Sequence, residues 1–195
     1  MLVIGLTGNF GTGKTTVSQI LAELGAAMID ADKLGHELLQ SRGQAYRDVV
    51  VAFGKDILTP DGEIDRDKLG QLVFTNTTAL AQLNRIMHPR MYTIAQKSID
   101  QYRKQGTRIA VLEAALLIEA GWTPLVDQVW VTTAPDGVIV NRLKKQRGLA
   151  EEEILARLQS QMPSQEKVKL ADVAIDTDCP LGELKLKVTN LRNNL

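Results

Sequence analysis

The run Leu2-Val3-Ile4-Gly5-Leu6-Thr7-Gly8-Asn9-Phe10-Gly11-Thr12-Gly13-Lys14-Thr15-Thr16-Val17 decides the fold. Leu2 to Thr7 is a short aliphatic stretch that stops at Gly8, and Val17, Ile20, Leu21 and Leu24 then recur at helical spacing up to Gly25. Strand, glycine-rich turn and helix follow one another directly. The turn satisfies GxxxxGK[ST], the pattern of a phosphate-binding loop. Glycines let the backbone curl so that successive N–H groups point at phosphate oxygens, and the helix starting near Lys14 adds its positive end. Lys14 reaches the β- and γ-phosphates of a nucleotide, and Thr15 offers a hydroxyl to Mg²⁺. Gly8, Asn9, Phe10, Gly11, Thr12, Gly13, Lys14, Thr15 and Thr16 form the candidate nucleotide-binding set.

Outward from this loop, Ala26 to Ile29 is a brief buried run closed by Asp30-Ala31-Asp32, and Lys33 to Leu39 is helical in period. From Ser41 to Gln105 the chain is mostly charged and helical, with no evident strand, and is broken by Thr59-Pro60-Asp61-Gly62 and by His88-Pro89. Strands return at Arg108 to Leu112, ending in Glu113, and at Gln128 to Thr132, leading to Ala134-Pro135-Asp136. Val138 to Arg147 is expected to be helical up to Gly148. Ala150 to Met162 follows as a second helix, with Glu151, Glu152 and Glu153 favouring its dipole and Pro163 beyond its end. Ala171 to Asp176 is a weak last strand and Leu181 to Leu191 a closing helix. The order predicts an α/β, three-layer fold with a parallel sheet of about five strands.

Composition narrows the function. The 195 residues carry 23 basic and 23 acidic side chains, so there is no basic excess of the kind that neutralises nucleic-acid phosphates. Hydrophobic residues make up 44% and aromatics only 4%, which predicts an aliphatic core of the sort that parallel sheets use. The single cysteine, Cys179, excludes an intramolecular disulfide and a cysteine-based zinc site, which points to a reducing compartment. No basic n-region opens the chain, and charges interrupt every apolar run before the roughly 18 residues that span a bilayer. A cytoplasmic protein with a small-molecule substrate, and with neither a nucleic-acid nor a membrane partner, is the expectation. The sequence assigns no oligomeric state.

Phosphate-loop proteins divide into switches, motors and small-molecule kinases. A guanine-reading Asn/Thr-Lys-x-Asp motif is missing after the late strand, and Val111-Leu112-Glu113 is a weak match to a motor's metal-binding strand end. A compact kinase remains, with its acceptor over the strand ends. Arg142, Lys144, Lys145 and Arg147 cluster late in one helix, where they either favour the helix dipole or meet the transferring phosphoryl. Arg142 and Arg147 lie about 140° apart on an ideal helix, so both need not reach one phosphate. The helix pair between Pro135 and Pro163 reads as a lid. Glu113 is a second candidate Mg²⁺ ligand or a solvated strand end. Asp30 and Asp32 stand where a strand yields to a helix, fit for capping or for chemistry.

These residues resemble the dephospho-CoA kinase family over nearly the whole chain. Ile4-Gly5-Leu6-Thr7-Gly8, the loop and Val17-Ser18 are similar to the family's IGLTGGIASGKSTVS, and Ile29-Asp30-Ala31-Asp32 to its IDAD. Phe53-Gly54-Lys55-Asp56-Ile57-Leu58, Asp61-Gly62-Glu63-Ile64-Asp65-Arg66, Leu69-Gly70 and Val73-Phe74 match a further segment. His88-Pro89, Arg142 to Gln161 and Ala171-Asp172 resemble its HP pair, its lid and its late AD. Departures are Asn9 at a usual glycine, Gly11 at a small residue, Glu113 and Ala115 in place of aspartate and proline, and Thr177 in place of asparagine. The resemblance implies transfer of the γ-phosphoryl of Mg·ATP to the ribose 3′-hydroxyl of dephospho-CoA. It implies Lys14, Asp32 and Arg142 as catalytic residues, Arg147 on the nucleotide, and Thr7, Asp30, Asp32, Arg66 and His88 around the acceptor. The corresponding layout is a core of residues 1–40, 107–135 and 164–195, an acceptor-binding insertion over 41–106 and a lid over 136–163. A nucleoside or sugar kinase, or a nucleotide-binding regulator without transfer, is the rival reading.

Overall fold

Short β-branched and aliphatic runs that are buried on both faces favour parallel strands, and the computed structural model bears this out. It describes residues 1–195, the side chain of Phe74 excepted. The strands are β1 (Leu2–Gly8), β2 (Ala27–Asp30), β3 (Ile109–Glu113), β4 (Gln128–Thr133) and β5 (Val173–Asp176). They form one five-stranded, all-parallel sheet in the order β2-β3-β1-β4-β5. The helices are α1 (Lys14–Glu23), α2 (Ala31–Leu39), α3 (Tyr46–Phe53), α4 (Arg66–Phe74), α5 (Thr77–Lys104), α6 (Asp136–Arg147), α7 (Glu151–Gln159), α8 (Ser164–Lys169) and α9 (Leu181–Asn193).

Two compact units divide the chain. The first comprises residues 1–30 and 99–195, the second residues 31–98. In the first, Ile4, Leu6, Val111, Trp130 and Ile175 pack with Val17, Ile20 and Leu21 of α1 and Leu184 and Val188 of α9. Residues alternating with these along the strands, among them Val3, Leu112 and Val131, are equally buried, and Leu117 and Val126 close over Gly5. One device recurs at the N-terminal ends of the strands. Asp127, just before β4, accepts the Val3 N–H at 2.7 Å, and Asp172, just before β5, accepts the Val129 N–H at 2.7 Å. β5 starts at Val173, two residues later than the hydropathy pattern suggests.

The second unit is helical and has its own core of Leu38, Val49, Ile57, Leu69, Val73 and Met87. Here the expected break at His88-Pro89 is wrong, because α5 runs through Pro89. A proline inside a helix costs about 3 kcal/mol and leaves the carbonyl four residues back without its helical donor. Arg90 supports the next carbonyl, with Nη1 donating to Ile86 O at 2.6 Å, and its guanidinium also pairs with Asp48 of α3. Met87 is buried next to this turn, and burying one such side chain contributes about 1.5–3 kcal/mol, so packing offsets the local penalty. A second correction concerns α7, which ends at Gln159 and not at Met162, with Ser160 as its C-cap. Gln161 and Met162 leave the helix because other partners take them, as described below. Among the described residues no helix is long and apolar enough to cross a membrane.

Candidate active site

Glycine is required at two points of the phosphate loop. At Gly8 φ is +148° and a Cβ would lie 2.3 Å from Thr132 Oγ1 and 2.6 Å from Thr132 O, so strand β4 admits no side chain there. At Gly11 φ is +78° and a Cβ would lie 2.7 Å from both Ile139 and Leu143 of α6. Thr12 is an internal brace, its Oγ1 standing 2.8 Å from Asn9 O and 2.7 Å from Thr132 Oγ1. Gly13 starts α1, whose first turn has neither a capping side chain nor an acidic residue. Both features keep its positive end suited to an external anion. Thr15 is exposed at this turn and Thr16 half-buried.

The cations gather on the same loop. Lys14 Nζ folds back to 2.9 Å from Gly8 O. Arg142 donates Nη1 to Gly11 O at 3.3 Å and Nη2 to Thr177 O at 3.2 Å, and so joins the phosphate loop to the residue that follows β5. Thr177 completes that corner, its hydroxyl 2.8 Å from Thr12 O. Two guanidinium groups stand over the Phe10 ring, Arg147 of α6 at 5.6 Å and Arg157 of α7 at 5.0 Å from its centre. Its N–H donates to Gln161 Oε1 at 2.8 Å, and Asn9 Nδ2 donates to Met162 O at 3.1 Å. Asn9 is buried, and its Oδ1 has no hydrogen-bond partner, which leaves an acceptor inside the loop.

Carboxylates occupy the C-terminal edge of the sheet. Register pairs Glu113 with Leu6 on one side and with Asp30 on the other, so Glu113 and Asp30 stand side by side at adjacent strand ends. Thr7 is fully buried, and its hydroxyl donates to Ala115 O at 3.3 Å, so it supports the segment after β3 and is not presented to solvent. In the second unit Asp32 lies exposed in the first turn of α2. Arg66 opens α4 and is exposed, and Asp65 caps that helix by accepting the Asp67 and Lys68 N–H groups. His88 is half-buried in α5, and burial holds its pKa below the ordinary histidine value. Hydroxyl and carboxylate oxygens such as those of Thr15 and Glu113 are hard donors that suit Mg²⁺, an ion that usually completes its shell with phosphate oxygens and water.

Sequence reasoning did not find Arg157, nor the ties that Gln161, Glu119 and Lys167 make. Arg157 had a weak signal, since it stands one turn after the buried Ile154 of α7. Lys167 had none, because its burial is a tertiary fact.

A sequence model of the dephospho-CoA kinase family matches residues 2–183. The dephospho-CoA kinase of Carboxydothermus hydrogenoformans is 48% identical over 174 residues, covering 89% of this chain and 84% of that protein. Among solved structures, TT1252 from Thermus thermophilus superposes with a TM-score of 0.84 at 28% identity, covering 100% of this chain and 97% of the other. The dephospho-CoA kinase from Campylobacter jejuni gives a TM-score of 0.65 at 25% identity over 98% of this chain and 96% of that one. With the phosphate loop, the all-parallel sheet and these likenesses in agreement, the chain belongs to the dephospho-CoA kinase family.

Proposed function

We propose that the chain catalyses ATP-dependent phosphorylation of the ribose 3′-hydroxyl of dephospho-CoA, giving coenzyme A and ADP. The observation that carries this reading is the Gly8–Thr15 loop at the end of central strand β1, opening onto the uncapped start of α1 within a chain of this family. The loop amides and Lys14 bind the β- and γ-phosphates and hold the γ-phosphorus for in-line attack. Asp32 orients the 3′-hydroxyl and accepts its proton as the new O–P bond forms. The bond from the γ-phosphorus to the β,γ-bridging oxygen breaks, and ADP leaves with the electron pair. Thr15 and Glu113 would hold Mg²⁺ together with phosphate oxygens, where the ion would supply neutralisation of phosphate charge. Arg142 meets the negative charge that grows on the transferring phosphoryl, while Arg147 serves the nucleotide. Asp30, Arg66 and His88 form the acceptor side, with residues 41–106 as the acceptor-binding insertion and 136–163 as the lid. ATP as donor and the single free cysteine both fit a cytoplasmic setting.

The test is acceptor-dependent ADP release, screened against dephospho-CoA, nucleosides and sugars. Release with dephospho-CoA alone is expected, and release with only a nucleoside or sugar would overturn the reading. Lys14→Ala should leave the melting temperature unchanged and remove most of the transfer, by about 10²-fold or more, because charge grows on the phosphoryl oxygens in the transition state.

A further inference from the structure

Lys167 is the one lysine without solvent exposure among the described residues, and nothing in the transfer chemistry calls on it. A buried ammonium persists only when paired and hydrogen-bonded. Lys167 Nζ stands 2.8 Å from Glu119 Oε1 and donates to Ala115 O at 2.9 Å. Each partner then leads to the phosphate loop. Ala115 O also accepts the Thr7 hydroxyl, one residue before Gly8. Glu119 Oε1 also accepts the Met162 N–H at 3.3 Å, and Met162 O accepts from Asn9 Nδ2. Beside it Gln161 Oε1 holds the Phe10 N–H. One buried charge thereby joins three segments: the turn after β3 that follows Glu113, the connection from α7 to α8, and residues 7–10.

We propose that Lys167 and Glu119 are positioning residues for phosphoryl transfer, fixing the Gln161–Met162 connection and the segment after Glu113 against the phosphate loop. Neither side chain touches substrate. They act through Asn9 and Phe10, whose place sets the loop amides that meet the γ-phosphoryl. The proposal rests on the kinase reading above. Displacement of reacting groups by as little as about 1 Å can cost on the order of 10²-fold in rate, so a loose connection should be read in kcat.

The test uses Glu119, the more exposed partner with its side chain 22% exposed, in two variants of which only one keeps a polar partner for the buried Lys167 ammonium. Glu119→Gln keeps an oxygen that can accept from both Lys167 and Met162, whereas Glu119→Ala removes the link. Glu119→Ala should lower kcat by about 10-fold or more with little change in the KM for ATP, and should speed hydrogen exchange at the Phe10 and Met162 amides without nucleotide. Glu119→Gln should restore both. Lys167→Met, which fills the same volume without charge, should reproduce the kinetic loss when paired with Glu119→Gln at a near-normal melting temperature. A Glu119→Ala variant with unchanged kcat, or with unchanged exchange at Phe10 and Met162, would overturn the proposal. So would a rescue by Glu119→Gln no better than alanine. Failure of the unaltered chain to phosphorylate the acceptor is a separate result, read before any substitution, and would overturn the kinase reading itself.

Discussion

Asp32 and Asp30 make different demands on the same carboxyl chemistry. Asp32 lies in the first turn of α2, and Asp30 ends β2 beside Glu113. Asparagine substitutes well where a side chain only accepts a backbone N–H, but it cannot take a proton. Asp32→Asn should keep the melting temperature and ATP affinity and lower kcat by about 10²-fold, while Asp30→Asn is milder. Steady-state transfer and thermal melts on both variants check this, and wild-type turnover in Asp32→Asn would make it a cap or a binding contact. His88 gives a pH test. Burial lowers its pKa below 6.5, so the unfolded chain takes up the proton first as pH falls through that value. Its contribution to stability is full above about pH 6.5 and is lost below it. Melting temperatures compared between about pH 7 and pH 5 should fall more for the wild type than for His88→Gln. At this scale Lys14 and Thr15 were legible because fixed spacing in a turn is itself the chemistry. Arg157 and Lys167 were not, since a ring stacked on a cation and a buried ion pair are made by residues far apart in sequence.

Among elements, α6 and α7 carry the clearest mechanical expectation. They share the small core of Ile139, Val140, Leu143 and Ile154 with Phe10 packed against it, and Lys144 bridges to Glu151 at 2.7 Å across their junction. Gln161 and Met162 are tied to the loop, so within the proposed lid over 136–163 the motion is expected upstream of that tie, over residues 136–160. Hydrogen exchange over 136–160 should slow when ATP and acceptor are both bound, with little change over 164–169, and uniform behaviour of the two stretches would count against a lid. The inner strands β1 and β3 were readable because parallel strands buried on both sides are largely aliphatic runs, whereas the half-exposed edge strand β5 gave a weaker signal. The helix through Pro89 was misread because a local rule about proline does not see Met87 in the core or Arg90 reaching back to Ile86. The end of α7 was misplaced for a similar reason, in that its periodicity continues into residues already claimed by the phosphate loop.

Over the whole molecule, the α/β class followed from one strand-loop-helix unit and from the return of buried strands after residue 105. The division at residues 30 and 98 was less legible, since α5 is a single helix from Thr77 to Lys104 that contributes to both units. The low aromatic content has an optical consequence. Trp122 and Trp130 are both buried, and both lie in the unit that holds the sheet, while residues 31–98 contain no tryptophan. Tryptophan emission is thus a private reporter of the sheet unit. An unfolding curve followed by that emission reads the sheet unit directly, and the helical unit is followed instead by circular dichroism and by the weaker signal of Tyr46 and Tyr92.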